Sequence, residues 1–229
     1  MIDWHSHILP AVDDGSKDIK ESLALLRLLA NQGCDICIAT PHFFANDETV
    51  DKFLERRQTA FESLQPVLFK KAPKIYLGAE VKYYNGISRM QDLEKLKIQN
   101  TKNLLLEMPF SKWTEYTLRE LDELSRTKSF KIVLAHIERY LNFQNADTFE
   151  RLLENGILMQ ANAGFFNGFS TRRKAVSMLG NSQIHFIGSD CHNNSSRQPQ
   201  IGSAYKIIEK KLGTEFVNQF NEYGYSVLL

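Results

Sequence analysis

The sequence predicts an α/β barrel of the (β/α)7 type, and two observations carry that prediction. Strand-like and helix-like segments alternate along all 229 residues. Each strand-like run is also followed at once by a residue able to do chemistry: His5, His42, Glu80, Glu107, His136, Asn162 and Asp190, spaced 26 to 38 residues apart. Such steps suit βα units joined by short loops. A doubly wound sheet gathers ligands near its topological switch point, whereas chemistry at every strand end points to a closed barrel with its site at the C-terminal mouth. The length fits one domain, residues 1–229.

The elements follow in order. Residues 1–4 read as a short strand leading into His5-Ser6-His7. Residues 17–32 read as a helix with Ser16 as N-cap, an apolar stripe at Ile19, Leu23, Leu26 and Ala30, and Gly33 as its stop. Residues 35–40 form a strand ending at Pro41, and 48–69 an amphipathic helix. The strand 74–77 delivers Glu80, a short helix occupies 87–93, and the strand 103–106 delivers Glu107. A helix at 115–126 precedes the strand 131–134, which delivers His136. The helix 146–154, the strand 157–160 with Asn162, the helix 171–179 and the strand 184–187 with Asp190 complete seven units. Two further helices, 201–211 and 214–222, close the chain. There is no sequence repeat beyond this architectural period.

The bulk composition excludes several classes. A net charge of +1 gives no electrostatic footprint for nucleic acid or an anionic membrane. No apolar run approaches a membrane span. The chain starts with a strand and a histidine motif in place of a signal peptide. Three cysteines, an odd number, suit a reducing cytoplasm.

Five of the six histidines lie at strand ends, accompanied by Asp14, Glu80, Glu107 and Asp190. Imidazole with carboxylate suits Mn, Fe or Zn. His5, His7, Asp14, His42, Glu80, Glu107, His136, Asp190 and His192 are too many ligands for one tetrahedral ion, so they predict a multinuclear hydrolytic centre. In His5-Ser6-His7 the i, i+2 spacing puts both rings on one side of a strand, and Asp190-Cys191-His192 repeats that logic. The turn Asp13-Asp14-Gly15 can return a carboxylate over the site, with Asp14 the ligand candidate and Asp13 a turn cap. Glu80 can bridge two ions. Taken singly, a histidine at a strand end is as easily a hydrogen-bonded loop residue, and an Asp before Gly an ordinary turn; it is the set in barrel order that speaks for metal. His185, inside an apolar strand, reads as a structural or edge residue and not a ligand.

Several motifs carry a family resemblance. His5-Ser6-His7-Ile8-Leu9-Pro10-Ala11-Val12-Asp13-Asp14-Gly15, Ala39-Thr40-Pro41-His42, Gly78-Ala79-Glu80, Leu134-Ala135-His136-Ile137-Glu138-Arg139-Tyr140 and Gly188-Ser189-Asp190-Cys191-His192 resemble the polymerase-and-histidinol-phosphatase (PHP) superfamily. Within it they are similar to the bacterial protein-tyrosine phosphatases of capsule and exopolysaccharide operons, over most of the chain to about Gly202. The resemblance implies a distorted (β/α)7 barrel and a manganese centre of two or three ions, with Fe or Zn as alternatives. It implies phosphotyrosine as substrate, carried on a protein such as a tyrosine autokinase that controls polysaccharide length. The nine ligand candidates above match its motifs position by position, Glu107 in the shortest context. The stretch 193–200 matches more loosely.

Ions held in this way lower the pKa of a bound water and supply a bridging hydroxide at neutral pH, which attacks phosphorus in line with the departing phenoxide. The candidate catalytic set is Asp14, His42, Arg139, Asp190 and Arg197. Arg139 and Arg197 offer guanidinium forks for phosphate, against the plainer reading of solvated surface arginines. The general acid is Asp14, Asp190 or a metal-bound water. Phe43, Phe44, Phe110, Trp113, Phe165 and Phe166 all lie just past strand ends, where they can wall a ring pocket or simply pack the core.

Rival readings are weighed by the same residues. Cys191-x5-Arg197 matches the spacing of cysteine-dependent tyrosine phosphatases, but the stretch has no glycine to close a phosphate loop and Asp190 would raise the thiol pKa. Cys34-x2-Cys37 lacks a second pair, and core packing explains it better. A PHP hydrolase of a small ester such as histidinol phosphate would use the same metals. A non-catalytic scaffold would be expected to have lost ligands, and none is missing. A TIM-type amidohydrolase would need a barrel lysine or further paired histidines.

Overall fold

A computed structural model describes residues 1–127 and 129–228. The strands are β1 (Ile2–Ser6), β2 (Ile36–Ala39), β3 (His42–Phe43), β4 (Lys74–Leu77), β5 (Glu80–Lys82), β6 (Asn103–Glu107), β7 (Lys131–Leu134), β8 (Leu158–Asn162) and β9 (Phe186–Gly188). The helices are α1 (Ile19–Asn31), α2 (Val50–Leu64), α3 (Glu115–Thr127), α4 (Ala146–Glu154), α5 (Ala163–Asn167), α6 (Arg172–Gly180), α7 (Ile201–Leu212) and α8 (Thr214–Leu228).

All strand pairs are parallel, in the orders β1-β2-β4 and β3-β5-β6-β7-β8-β9. Where seven strands were expected, nine are present among the described residues, because two are interrupted. Pro41 has no N–H to give and splits β2 from β3; Gly78-Ala79 split β4 from β5. The ladder nonetheless runs through both breaks, since Gly78 N–H donates to Ala39 O at 2.8 Å and Glu80 N–H to Pro41 O at 3.0 Å. The circle closes between β1 and the segment after β9: Asp190 N–H donates to His5 O at 2.8 Å and His7 N–H to Cys191 O at 2.9 Å. The expected barrel is therefore present, with two kinked staves.

Alternation along the strands divides the apolar side chains into two sets. Ile2, Trp4, Ile36, Ile38, Tyr76, Leu105, Val133 and Phe186 fill the interior, while their sequence neighbours Cys37, Ala39, Ile75, Leu77, Leu104, Leu106, Ile132 and Leu134 pack beneath the helices. In β1 that rhythm is broken deliberately. Asp3 pairs with Cys37 and Ser6 with Ala39, so β1 carries one residue more than β2 across the same stretch, a β-bulge. The bulge lets Trp4 join the interior cluster and His5 still reach Gln160 across the barrel, while Ser6 Oγ turns to Cys37. The end of α8 sits at the opposite opening, where Leu228 joins the interior cluster and Tyr225 Oη bonds Met1 and Asp35 at the strand starts.

Several local expectations are corrected. Helix α1 is capped by Asp18, whose side chain accepts from Glu21 N–H at 2.8 Å; Ser16 lies outside the helix and donates to Asp18 O. Its buried face runs through Ser22, Leu25, Leu26 and Leu29, rotated from the anticipated stripe. Helix α2 starts after Thr49 as N-cap and stops at Leu64, because Pro66 imposes a 3₁₀ turn. The helix expected at 87–93 is two 3₁₀ turns, Ile87–Arg89 and Leu93–Leu96; the first is tied by the buried Glu120 of α3, which accepts from Gly86 N–H and Ser88 N–H. Helix α5 was not anticipated, and α8 runs to Leu228, past the expected end at 222.

His185 is structural, as expected: its Nδ1 accepts from Met159 N–H at 3.1 Å beside α8. Burial, aided by the Lys131 charge, pulls its pKa from 6.5 down to about 4. A group lowered in this way costs stability as pH falls from 6.5 toward 4, because the unfolded chain takes up a proton that the folded chain refuses. The loss amounts to about 2–3 kcal/mol. In chelator, the urea midpoint is predicted to drop less between pH 7 and pH 4.5 for His185→Gln than for the unaltered protein; equal drops would refute this assignment.

Candidate metal centre

The strand ends bring the nine candidate ligands to one mouth. Glu80, the first residue of β5, stands at the centre and is buried. Its Oε1 lies 2.8 Å from His136 Nε2. Its Oε2 lies 2.9 Å from His42 Nδ1 and 3.3 Å from the Nε2 atoms of both His5 and His7. Asp190 Oδ1 is 3.5 Å from His7 Nε2 and 3.8 Å from His5 Nε2. Asp14 Oδ1 lies 3.4 Å from both His42 Nε2 and His192 Nε2. Glu107 Oε1 is 3.6 Å from His136 Nε2, and its Oε2 accepts from Lys82 Nζ at 2.7 Å.

These residues resolve into three groups whose ligand atoms all lie within 4.8 Å of one another: His7, Asp14, His42 and His192; His5, His7 and Asp190; and His42, Glu80 and Glu107. His136 stands beside them against the two glutamates.

The ring nitrogens are sorted in the way metal ligation requires. His5 Nδ1 is 3.1 Å from Gln160 Oε1, His7 Nδ1 2.7 Å from Asp13 Oδ2, and His192 Nδ1 2.9 Å from Asp190 O. Each outer partner is an acceptor, so Nδ1 carries the proton and the Nε2 lone pair is free to ligate. The Nε2 atoms of His5 and His7 face each other at 3.1 Å, so a proton or a cation must lie between them. His192 Nε2 is buried without a hydrogen-bond partner, and His42 Nδ1 and Glu80 Oε2, although 2.9 Å apart, are buried without a well-aligned hydrogen bond. Buried polar atoms seldom go unpaired, and here they point into one space lined by carboxylates and imidazoles. The residues therefore fit metal ions.

Electrostatics point the same way. Burial alone would push Glu80 up, but the His5 charge and the close imidazoles of His136, His42 and His5 outweigh it and hold the carboxyl well below its usual range. Burial would lower His7, but Asp13 and Glu80 reverse that and carry it to about 10. Burial likewise works against Asp190, yet the charges of His5 and His7 bring it to about 2. A set of carboxylates that grips protons on neighbouring imidazoles is a field built for cations.

Local backbone explains the aim of two of these side chains. His136 (φ 34°) and Asp190 (φ 52°) are both left-handed, a conformation that costs a non-glycine residue about 1–2 kcal/mol. Close approach accounts for two glycines. A Cβ at Gly188 would lie 2.4 Å from His5 Cβ, and one at Gly15 would lie 2.3 Å from His7 O.

Both arginines reach the mouth. Arg139 Nη2 donates to Asp190 Oδ2, and Arg197 Nη2 donates to Asp190 Oδ1 at 3.0 Å. Asn162 Nδ2 donates to the same Asp190 Oδ2 at 2.9 Å, and its Oδ1 accepts from Gln160 Nε2 at 3.0 Å. Cys191 is fully buried behind this array, and burial, with Asp3 and Asp190 nearby, raises its thiol well above the ordinary range. Cys34 and Cys37 are free thiols in the core.

Three supporting residues escaped the sequence reading. Asp13 is more than a turn cap, since it orients His7 and also accepts from His42 N–H at 2.9 Å. Gln160 holds His5 and accepts from His136 N–H at 2.8 Å; a glutamine inside the apolar run Leu158–Asn162 was the available signal. Lys82 lies two residues after Glu80 on the same strand, and that spacing could have placed it beside Glu107.

The fold and this constellation define the class: a PHP-type barrel with histidine–carboxylate clusters able to hold metal ions at its C-terminal mouth. The histidinol phosphate phosphatase of Lactococcus lactis shares the fold, with a TM-score of 0.56 at 16% identity over 91% of this chain and 92% of that one. The chain belongs to the CpsB/CapC family of capsular polysaccharide synthesis, whose model matches residues 1–224. Among its relatives is the tyrosine-protein phosphatase YwqE of Bacillus subtilis (strain 168), 32% identical over 97% of this chain and 89% of that protein. The tyrosine-protein phosphatase CpsB of Streptococcus pneumoniae is 34% identical over 94% of this chain and 92% of that protein. A chain from the crystal structures of YwqE and CpsB, metal-dependent tyrosine phosphatases, superposes with a TM-score of 0.84 at 28% identity, covering 100% of this chain and 94% of that one.

Removing the outer acceptor of a ligand histidine commonly lowers metal affinity 10- to 100-fold. Asp13→Ala is predicted to weaken Mn²⁺ binding by about that factor in calorimetric titration. Unchanged affinity would mean that His7 is held by other means.

Proposed function

We propose that this chain is a metal-dependent protein-tyrosine phosphatase using two or three Mn²⁺ ions. Its substrate is a phosphotyrosine-bearing protein in capsule or exopolysaccharide synthesis, with a tyrosine autokinase as partner and the cytoplasm as its compartment. The observation that carries the reading is the three overlapping ligand groups with two arginines at their edge, in a chain about one-third identical to named tyrosine phosphatases. Among the described residues no helix is long and apolar enough to cross a membrane.

In this reading His5, His7, Asp14, His42, Glu80, Glu107, His136, Asp190 and His192 would hold the ions, with Glu80 at the centre of the set. Metal ions held there lower the pKa of water and neutralise charge on a phosphoryl group. The protein's own groups do the rest. Arg139 and Arg197 grip the phosphoryl oxygens through their planar forks. The leaving phenoxide, with a conjugate acid near pKa 10, needs only modest proton help. Asp190 is a poor donor, because its two oxygens already accept from Asn162, Arg139 and Arg197. Asp14, with its side chain 62% exposed at the mouth and beside His42 and His192, is the freer carboxylate, but as an ion ligand it too would be deprotonated, which leaves water at the mouth as the proton source. The buried, acid-flanked Cys191 thiol takes no part.

The test is hydrolysis of a phosphotyrosine peptide by purified protein, with and without EDTA. Activity is predicted to vanish in chelator, to return with Mn²⁺ and to survive Cys191→Ser largely intact. Chelator-resistant turnover lost in Cys191→Ser would replace this mechanism with a thiolate one. A metal-loaded protein inert to phosphotyrosine but active on histidinol phosphate would reassign the substrate. Arg139→Ala and Arg197→Ala should each lower kcat/KM roughly 10- to 100-fold, the value of a lost charged hydrogen bond. Wild-type rates in both variants would remove the arginines from phosphate binding.

A further inference from the structure

Two of the six aromatic side chains past the strand ends are exposed, Phe44 at 39% and Phe110 at 43%; Phe43, Trp113, Phe165 and Phe166 are buried. The exposed pair flanks the metal centre, each against a different histidine. Phe44 packs on His42 with ring centroids 5.4 Å apart, and Phe110 on His136 at 5.8 Å. They differ in what covers them. Phe110 stacks on Tyr140 at 5.7 Å with planes 22° apart, and the Lys82 ammonium lies 5.0 Å from its ring centre with the Arg139 guanidinium at 5.8 Å. Phe44 instead lines a cavity of about 540 Å³, together with the apolar Ala11 and Val12 and, on its charged side, Asp13, Asp14, His42, Asp47, Glu48 and Arg56. That volume falls in the range of small-molecule pockets. Ala11 is held left-handed at φ 53°, a strained conformation for alanine in the very loop that forms the apolar wall. Arg197 Nη1 stands 3.9 Å from Asp14 Oδ2, so one of the two arginines of the mouth lies just beyond the Asp14 wall of the cavity.

We propose that this cavity receives the aromatic ring of the substrate and that Phe44 sets selectivity for aryl over alkyl phosphate esters. The inference rests on the phosphatase reading above and adds to it the place of the ring. In an aryl phosphate a single ester oxygen separates ring from phosphorus, so the ring must lie next to the groups that hold the phosphoryl oxygens. The cavity meets that condition because its wall residue Asp14 stands 3.9 Å from the Arg197 guanidinium and its wall residue His42 belongs to the candidate ion ligands. Phe44 offers its ring to the cavity, and Ala11 and Val12 supply apolar contact across from it. Stacked or edge-on ring pairs add affinity beyond simple burial. An alkyl ester would fill the space without that gain.

Inhibition by two probes separates ring from phosphate: phenylphosphonate carries both, inorganic phosphate only the second. With the Mn²⁺-loaded protein, Phe44→Ala should raise the Ki of phenylphosphonate about 3- to 10-fold and leave that of inorganic phosphate within about two-fold. The kcat/KM for phosphotyrosine should fall by the same factor as the phenylphosphonate Ki rises, and Phe44→Tyr should restore both. Phe44 is exposed, so folding is not at stake, and a thermal melt checks it. An unchanged phenylphosphonate Ki in Phe44→Ala overturns the proposal, as does a selective loss in Phe110→Ala alone. Equal weakening of both probes overturns it too, because the side chain would then be acting on the phosphate site. A wild-type protein that ignores phosphotyrosine but hydrolyses alkyl esters would sink the phosphatase reading itself, a failure visible before any variant is made.

Discussion

Glu80 is the constraint on which the rest of this structure depends. A buried carboxylate surrounded by His5, His7, His42 and His136 is tolerable only if positive charge is supplied to it. Everything around it serves that need. Strand β5 begins at Glu80 because β4 breaks at Gly78-Ala79, and β3 begins at His42 because Pro41 breaks β2. The register then sets His42 directly opposite Glu80. The bulge in β1 reconciles two demands that a regular strand could not meet together, a tryptophan in the barrel interior and histidines at its mouth.

Around this centre lies a shell of groups that fixes protons and ring orientations. Asp13 holds His7, Gln160 holds His5, and the Asp190 carbonyl holds His192. Gln160, Asn162 and Asp190 form a chain of hydrogen bonds that ends on Arg139 and Arg197. The candidate ligands and the two arginines are thus mechanically joined through Asp190. The left-handed backbone at His136 and Asp190 is a cost that the surrounding hydrogen bonds sustain, a pattern typical of sites where geometry matters more than local stability.

The barrel and the ligand candidates were legible because both obey simple periods. Strands of four or five apolar residues ended in His, Glu or Asp at βα spacing, and i, i+2 pairs fell on one side. What stayed hidden depends on tertiary contact. The α1 face differs from the expected stripe because Ser22 is buried through a hydroxyl pair with Ser16, which a hydrophobicity pattern counts as polar. The bulge in β1 has no sequence mark, since any residue can be the extra one. The roles of Asp13 and Gln160 emerge only when β1, β3, β7 and β8 converge. The aromatic residues could not be ranked from sequence either: six shared the same position relative to a strand, and only packing shows which two remain exposed.

The central claim is that the Glu80 cluster exists to hold metal ions, and thermal unfolding tests it without reference to any substrate. A ligand that binds only the folded state stabilises it by about 2.7 kcal/mol per site at a hundred times its Kd. The melting temperature of metal-stripped protein should therefore rise by several degrees on adding saturating Mn²⁺, and Glu80→Gln should lose most of that rise. The same melting temperature with and without metal, or a full rise in Glu80→Gln, would contradict the account.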